Sequence, residues 1–66
     1  MNGRNITAQQ MRELAACLVG PVNRPCTATV FGGRREVRIF VDGANLEIFR
    51  MSRSQLLLQA RYKGLI

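Results

Sequence analysis

Arginine supplies most of the functional chemistry in this chain, because nine of its ten basic residues are arginines. The chain has 66 residues and four acidic groups, and its net charge is +6. Guanidinium groups bind phosphates through planar, bidentate hydrogen bonds. The charge excess therefore favours a polyanion or an acidic protein surface as the partner.

A candidate basic site can be deduced from the strand pairing. Arg34 and Arg35 follow a Gly-Gly turn, which should lie at the end of the sheet where the last helix starts. Free amides and the positive end of a helix dipole suit a phosphate. We therefore predict a nucleic-acid site composed of Arg34, Arg35, Arg50, Ser52, Arg53 and Ser54. The alternative is that a charged hairpin tip and capping serines are simply solvated.

Three phenylalanines are predicted on the sheet face that no helix covers. They can pack laterally against one another and against arginine stems, or they can form a protein interface. They can also stack on the bases of single-stranded nucleic acid. A sheet that binds RNA by base stacking carries its aromatic residues on adjacent central strands, whereas Phe31 and Phe49 are predicted on the two edge strands. We favour a protein interface made by Phe31, Arg38, Phe40 and Phe49.

Catalytic and metal chemistry find little support in the sequence. The chain has no histidine, and its two cysteines, Cys17 and Cys26, form no C-x-x-C pair. They cannot build a four-ligand zinc site alone and are expected to be reduced core thiols, the alternative being a single disulfide in an exported chain. Asp42 and Glu47 form no recognisable acid pair. We expect no enzyme activity, no catalytic residue, no metal, no cofactor and no small-molecule substrate.

Two helices are predicted from the same start signal. In "ITAQQM" Thr7 can cap and Gln10 closes a capping box, and in "MSRSQL" Ser52 and Gln55 repeat the pattern. The first helix should end at Gly20-Pro21, and the second should continue to about Lys63. Their buried stripes are expected to contain Met11, Leu14, Ala15 and Leu18 in the first helix, and Leu56, Leu57 and Ala60 in the second.

Three strands are predicted between the helices, at residues 26–31, 34–41 and 46–51. Two-residue turns at Gly32-Gly33 and Asp42-Gly43 would pair Phe31 with Arg34 and Val41 with Ala44. A four-residue second loop would keep the same faces, whereas a three-residue one would turn Glu47 inward and Ile48 outward and is rejected. In this register, alternate residues form one apolar face, which should contain Cys26, Ala28, Val30, Val37, Ile39, Val41, Ala44, Leu46 and Ile48.

The order αβββα predicts an α+β fold, a three-stranded antiparallel meander with both helices on its apolar face. We expect one domain over residues 1–66. The order resembles that of the double-stranded-RNA-binding domain and of small toxin proteins with the same topology. The RNA-binding family has a longer first hairpin loop and a lysine cluster, and the toxins need a histidine. Neither pattern is present, so no functional residue is transferred from either family.

A chain this short buries a thin core, so a second copy or another partner is expected to add stability. No secretion signal and no apolar run of membrane length is present, which indicates a cytoplasmic protein without a membrane partner. The sequence predicts a non-catalytic regulator or inhibitor that binds a macromolecule, with nucleic acid preferred and a homodimer expected. The alternative is a protein-directed inhibitor or adaptor that uses the phenylalanine face.

Overall fold

The computed structural model describes residues 6–66, which form two helices and one three-stranded sheet. Helix α1 spans Ala8–Val19, strands β1, β2 and β3 span Cys26–Phe31, Glu36–Val41 and Leu46–Ser52, and helix α2 spans Arg53–Tyr62. The strands are antiparallel in the order β1-β2-β3. The predicted α+β fold with αβββα order is confirmed.

Both helices begin with the predicted capping box. The Thr7 hydroxyl accepts a hydrogen bond from the Gln10 amide at 3.1 Å, and the Gln10 side chain accepts one from the Thr7 amide at 2.9 Å. Ser52 and Gln55 repeat this exchange at the start of α2. Each box satisfies amides that a helix start leaves unpaired. Short sequence signals therefore determine where both helices begin.

The core lies between the two helices and one face of the sheet. Its buried side chains come from the segment preceding α1, from both helices and from the central strand: Ile6, Met11, Leu14, Ala15, Val37, Ile39, Leu56 and Ala60. Met11 and Leu56 are fully buried. Both helices therefore pack on the same face, as the hydrophobic periodicity predicts. The opposite face, which we call the open face, is left without a helix.

Both hairpin loops contain four residues, so the predicted two-residue turns are wrong. Phe31 pairs with Glu36 and Val41 pairs with Leu46. Each loop contains three successive residues with positive φ, which are Gly32, Gly33 and Arg34 in the first loop and Asp42, Gly43 and Ala44 in the second. Three successive residues in the left-handed conformation do not fit into a two-residue turn, so each loop is two residues longer than predicted. The change in loop length by two preserves the face of each strand residue up to Glu47, because side chains alternate with a period of two.

A β-bulge in β3 changes the faces of its second half. Phe40 pairs with Glu47 but the preceding Ile39 pairs with Phe49, so Ile48 is the extra residue. A bulge inserts one residue and reverses the alternation beyond it. Ile48 is consequently exposed, whereas Phe49 packs against the core. The prediction that Phe49 lies on the open face and Ile48 on the core face is wrong.

Within residues 6–66, no helix has both the length and the apolar character needed to cross a membrane.

Candidate functional site

The arginines divide into two groups according to their carboxylate partners. Ion pairs join Arg24 to Asp42, Arg38 to Glu36 and Glu47, and Arg50 to Glu47. The remaining acidic residue, Glu13, accepts a hydrogen bond from Gln9. Over the described part of the chain, six basic residues have no recorded ion pair: Arg12, Arg34, Arg35, Arg53, Arg61 and Lys63. The uncompensated charge thus includes both arginines of the first hairpin loop.

The first hairpin loop is attached to the beginnings of both helices. The Arg34 guanidinium donates a hydrogen bond to the carbonyl of Ile6 at 3.2 Å, just before α1. The carbonyl of Arg35 accepts the backbone N–H of Arg53 at 2.7 Å, in the first residue of α2. Backbone bonding therefore brings Arg35 and Arg53 together, as the sequence predicts for this end of the sheet. We call Arg34 and Arg35, together with the adjoining Arg53 at the start of α2, the loop arginines.

The helix amides at this site are less available than the sequence predicts. The Arg53 amide is bound by Arg35, and the Gln55 amide donates to the Ser52 hydroxyl at 3.2 Å. Ser52 is thus engaged as the helix cap, while Ser54 is exposed. The expectation that these first-turn amides are free for a phosphate is wrong for Arg53 and Gln55. Charge from the loop arginines has to supply most of any phosphate binding here.

Arg50 lies on the open face, opposite Arg38, because of the bulge. Its guanidinium donates three hydrogen bonds of 3.1–3.3 Å to the Glu47 carboxylate. These hydrogen bonds and the adjacent negative charge raise the pKa of Arg50 above its ordinary value. Its charge is locally compensated, so Arg50 is a weaker candidate for a phosphate than the loop arginines. Its predicted role in binding stays a prediction.

The open face carries an ordered cluster of two aromatic rings and one arginine. The guanidinium of Arg38 lies over the Phe31 ring, with its central carbon 4.4 Å from the ring centroid. The rings of Phe31 and Phe40 meet edge to face, with centroids 6.4 Å apart. Arg38 also donates to Glu36 at 2.7 Å. We call Phe31, Arg38 and Phe40 the aromatic cluster, and all three residues are half-buried.

The aromatic cluster differs from the predicted interface by the loss of Phe49, which belongs to the core. Lateral packing accounts for part of the burial of Phe31 and Phe40, since their rings touch each other and Phe31 also contacts Arg38. The cluster nevertheless stays on a face without a helix. Partner binding through Phe31, Arg38 and Phe40 therefore stays a prediction.

Both cysteines are exposed, so the expectation of core thiols is wrong. Cys26 pairs with buried Val41 on the core side of the sheet, but its own position at the start of edge strand β1 is not covered by α1. Its thiol lies 3.4 Å from the Arg24 carbonyl. Among residues 6–66, no three His, Cys, Asp or Glu side chains are grouped closely enough to hold a metal ion.

Two apolar surfaces have no counterpart in the sequence prediction. An open groove of about 190 Å³ runs beside β1 and is lined by Ala16, Val19, Gly20, Val22, Arg24, Cys26, Ala28 and Ile39. On α2, Leu58 and Tyr62 are 62% and 87% exposed on the side away from the core. Their spacing of four residues could have revealed a second apolar stripe. The groove depends on contacts between distant segments and leaves no sequence signal.

Comparison of the chain with protein-family models, with curated proteins and with solved structures finds no match. Function is therefore inferred from the arrangement of its residues.

Proposed function

We propose that this chain is a small, non-catalytic regulator or inhibitor that binds nucleic acid through the loop arginines. The supporting observation is the separation of charge. Three of the four acidic residues form ion pairs with Arg24, Arg38 or Arg50. The loop arginines have no recorded ion pair within residues 6–66, so their full charge is available to a polyanion.

The backbone supports this role by limiting the freedom of the loop. Its arginines are held between the starts of α1 and α2 by the Arg34–Ile6 and Arg53–Arg35 hydrogen bonds. A loop whose backbone is already held in place loses less conformational entropy when its side chains bind phosphates. Arg34 retains further N–H donors beyond the one given to Ile6, because a guanidinium has five. The backbone proximity of Arg35 and Arg53 would allow their side chains to contact phosphates of the same nucleic acid.

Sequence-independent binding is the expected mode. Phosphate contacts give affinity and orientation but carry no base information. The one aromatic–arginine arrangement on the open face is already internally packed, with Arg38 neutralised by Glu36. Base stacking on that face would first have to separate these contacts. We accordingly assign the nucleic acid to the loop arginines and not to the open face.

The decisive experiment compares two double variants that each remove two positive charges. Arg35→Gln with Arg53→Gln removes loop arginines, whereas Arg12→Gln with Arg61→Gln removes two arginines of the helices that form no ion pair with a residue in 6–66. Affinity for labelled DNA and RNA is measured by fluorescence anisotropy across a series of salt concentrations. Each lost phosphate contact should reduce the slope of log K against log salt by about 0.7–0.9.

The loop variant should lose about 1.4–1.8 from the slope if both contacts are lost, and the helix variant should lose much less. Equal losses would mean that only net charge matters. An absence of affinity in the wild-type protein at low salt would remove the nucleic-acid proposal.

The second candidate function is that of an inhibitor or adaptor directed at a protein. It is favoured by the aromatic cluster, in which Phe31, Arg38 and Phe40 form a fixed apolar and cationic group on a helix-free face. Aromatic residues and arginine are the residues most enriched where proteins bind one another. Phe40→Ser should abolish capture of such a target while leaving nucleic-acid affinity intact, and unchanged capture would contradict this function.

A further inference from the structure

The two edges of the sheet differ in the features that prevent pairing with another strand. Free edges attract other strands, and proteins block them with charges, prolines or bulges. Edge strand β3 has such features, since it contains Glu47, Arg50 and the bulge at Ile48. Edge strand β1 has the sequence CTATVF, with no charge, no proline and no bulge. Among residues 6–66, no strand covers its outer side.

The groove beside β1 extends this unprotected edge into an apolar surface. The small side chains of Ala16, Cys26 and Ala28 leave it open, and Val19 and Val22 form part of its lining. Val22 is 40% exposed although it is aliphatic. An incoming strand would thus find both unpaired backbone groups and a place for apolar side chains.

Electrostatics allow a second positively charged copy to approach this edge. Arg24 is the single charged residue in the groove lining, and it is paired with Asp42. Because the chain has a net charge of +6, surfaces with uncompensated positive charge would repel another copy. The strand and its groove together form a surface of compensated charge, which suits a partner carrying the same surface.

We propose that two copies of this chain associate through antiparallel pairing of their β1 strands. A two-fold axis perpendicular to the sheet relates the strands and gives one six-stranded sheet with all four helices on the same side. Cys26 or Ala28 at the groove of each copy then faces Val30 of the other copy. A closed contact of this kind uses the same patch twice and leaves no further β1 edge exposed.

The symmetry restricts the register of the two strands. Paired residues in an antiparallel ladder lie on the same face, so a perpendicular two-fold axis has to pass through a residue that pairs with itself. The two central residues of Cys26–Phe31 are Ala28 and Thr29. An axis beside one of them pairs the largest number of β1 residues, so we place it there. This inference goes beyond nucleic-acid binding and does not depend on the loop arginines.

The first test is the molar mass in solution, measured by light scattering on the full chain. Cys26→Lys and Val22→Lys each put a charge into the groove next to the paired strands, at a position exposed in one copy. Ile48→Lys adds the same charge to the opposite edge of the sheet. Wild type and Ile48→Lys should have twice the mass of one chain, and the two groove variants should have the mass of one.

A monomeric wild type at millimolar concentration overturns the proposal, and so does a dimer that survives both groove substitutions. Val22 lies in a loop, so its variant reports on association even if Cys26→Lys fails to fold.

The second test locates the axis by cross-linking. With Cys17 and Cys26 replaced by serine, a single cysteine is introduced at Ala28, at Thr29 or at Ile48. A disulfide needs Cα atoms within about 7 Å, which only a residue beside the axis meets with its own copy. Either Ala28→Cys or Thr29→Cys should form a disulfide-linked dimer under mild oxidation, and Ile48→Cys should not. Cross-linking at Ile48 with none at Ala28 or Thr29 would overturn the proposed geometry.

Discussion

The guanidinium carbon of Arg38 lies 4.4 Å from the centroid of the Phe31 ring, on the open face of the sheet. The same side chain binds the carboxylate of Glu36, and its exposed fraction is 28%. Arg38 is therefore a structural cation at the centre of the aromatic cluster. Its partners explain why an arginine and two phenylalanines occupy a sheet face that no helix covers.

The contact between Arg38 and Phe31 should have a measurable coupling energy. In a double-mutant cycle with Arg38→Met and Phe31→Leu, we expect a coupling of about 0.5–1 kcal/mol, the range of partly exposed cation–π pairs. The free energies of unfolding are obtained from urea titrations. Arg50→Met with Phe31→Leu is the matched control, because Arg50 is bound to Glu47. Equal coupling in the two cycles would contradict a specific Arg38–Phe31 contact.

The bulge predicts that two phenylalanines of similar sequence context contribute differently to stability. Phe49→Ala should lower the free energy of unfolding by about 2–3 kcal/mol, below the range of fully buried rings because Phe49 is only partly buried. Phe40→Ala should cost about 1 kcal/mol, since it loses an edge-to-face contact on the open face. A smaller loss for Phe49 than for Phe40 in urea titrations would mean that the bulge is absent.

The capping role of Ser52 can be tested by replacing it with a residue that cannot cap a helix and with one that can. Ser52→Ala should reduce stability by about 1 kcal/mol, because the Gln55 amide loses its acceptor. Ser52→Asp should restore most of this loss, since aspartate caps helices as well as serine does. Helix content and the free energy of unfolding are measured by circular dichroism. If both variants were as stable as wild type, the cap would not contribute to the start of α2.

Both thiols should react rapidly in the native protein. Cys17 and Cys26 are exposed, so a thiol reagent should modify both before the fold is lost. Mass spectrometry of the intact chain gives the number of labels with time, and a denatured sample gives the limiting rate. Native labelling that is a hundredfold slower than in denaturant would place the cysteine concerned in the core. For Cys26, labelling at low protein concentration separates this exposure from protection in a dimer.

The helices were predictable because their signals are local. Thr7 with Gln10 and Ser52 with Gln55 form capping boxes within four residues of chain. The apolar stripe of α1, with Met11 and Leu14, follows directly from the helical period. The capping boxes and the stripe need only neighbours along the chain. For the same reason the proximity of the first hairpin to the start of α2 followed from element order.

The sequence also determined the charge, the excess of arginine and the alternation of β2, whose Val37, Ile39 and Val41 are all buried. It did not determine the loop lengths, since Gly-Gly and Asp-Gly suit a two-residue turn as well as part of a four-residue one. The tertiary structure decided three further points: the bulge at Ile48, the move of Phe49 into the core, and the pairing of Arg50 with Glu47. The physical reason is that the stability of a bulge depends on which side chains of the strand the helices cover. These contacts join segments that are distant in sequence, so no local pattern contains them.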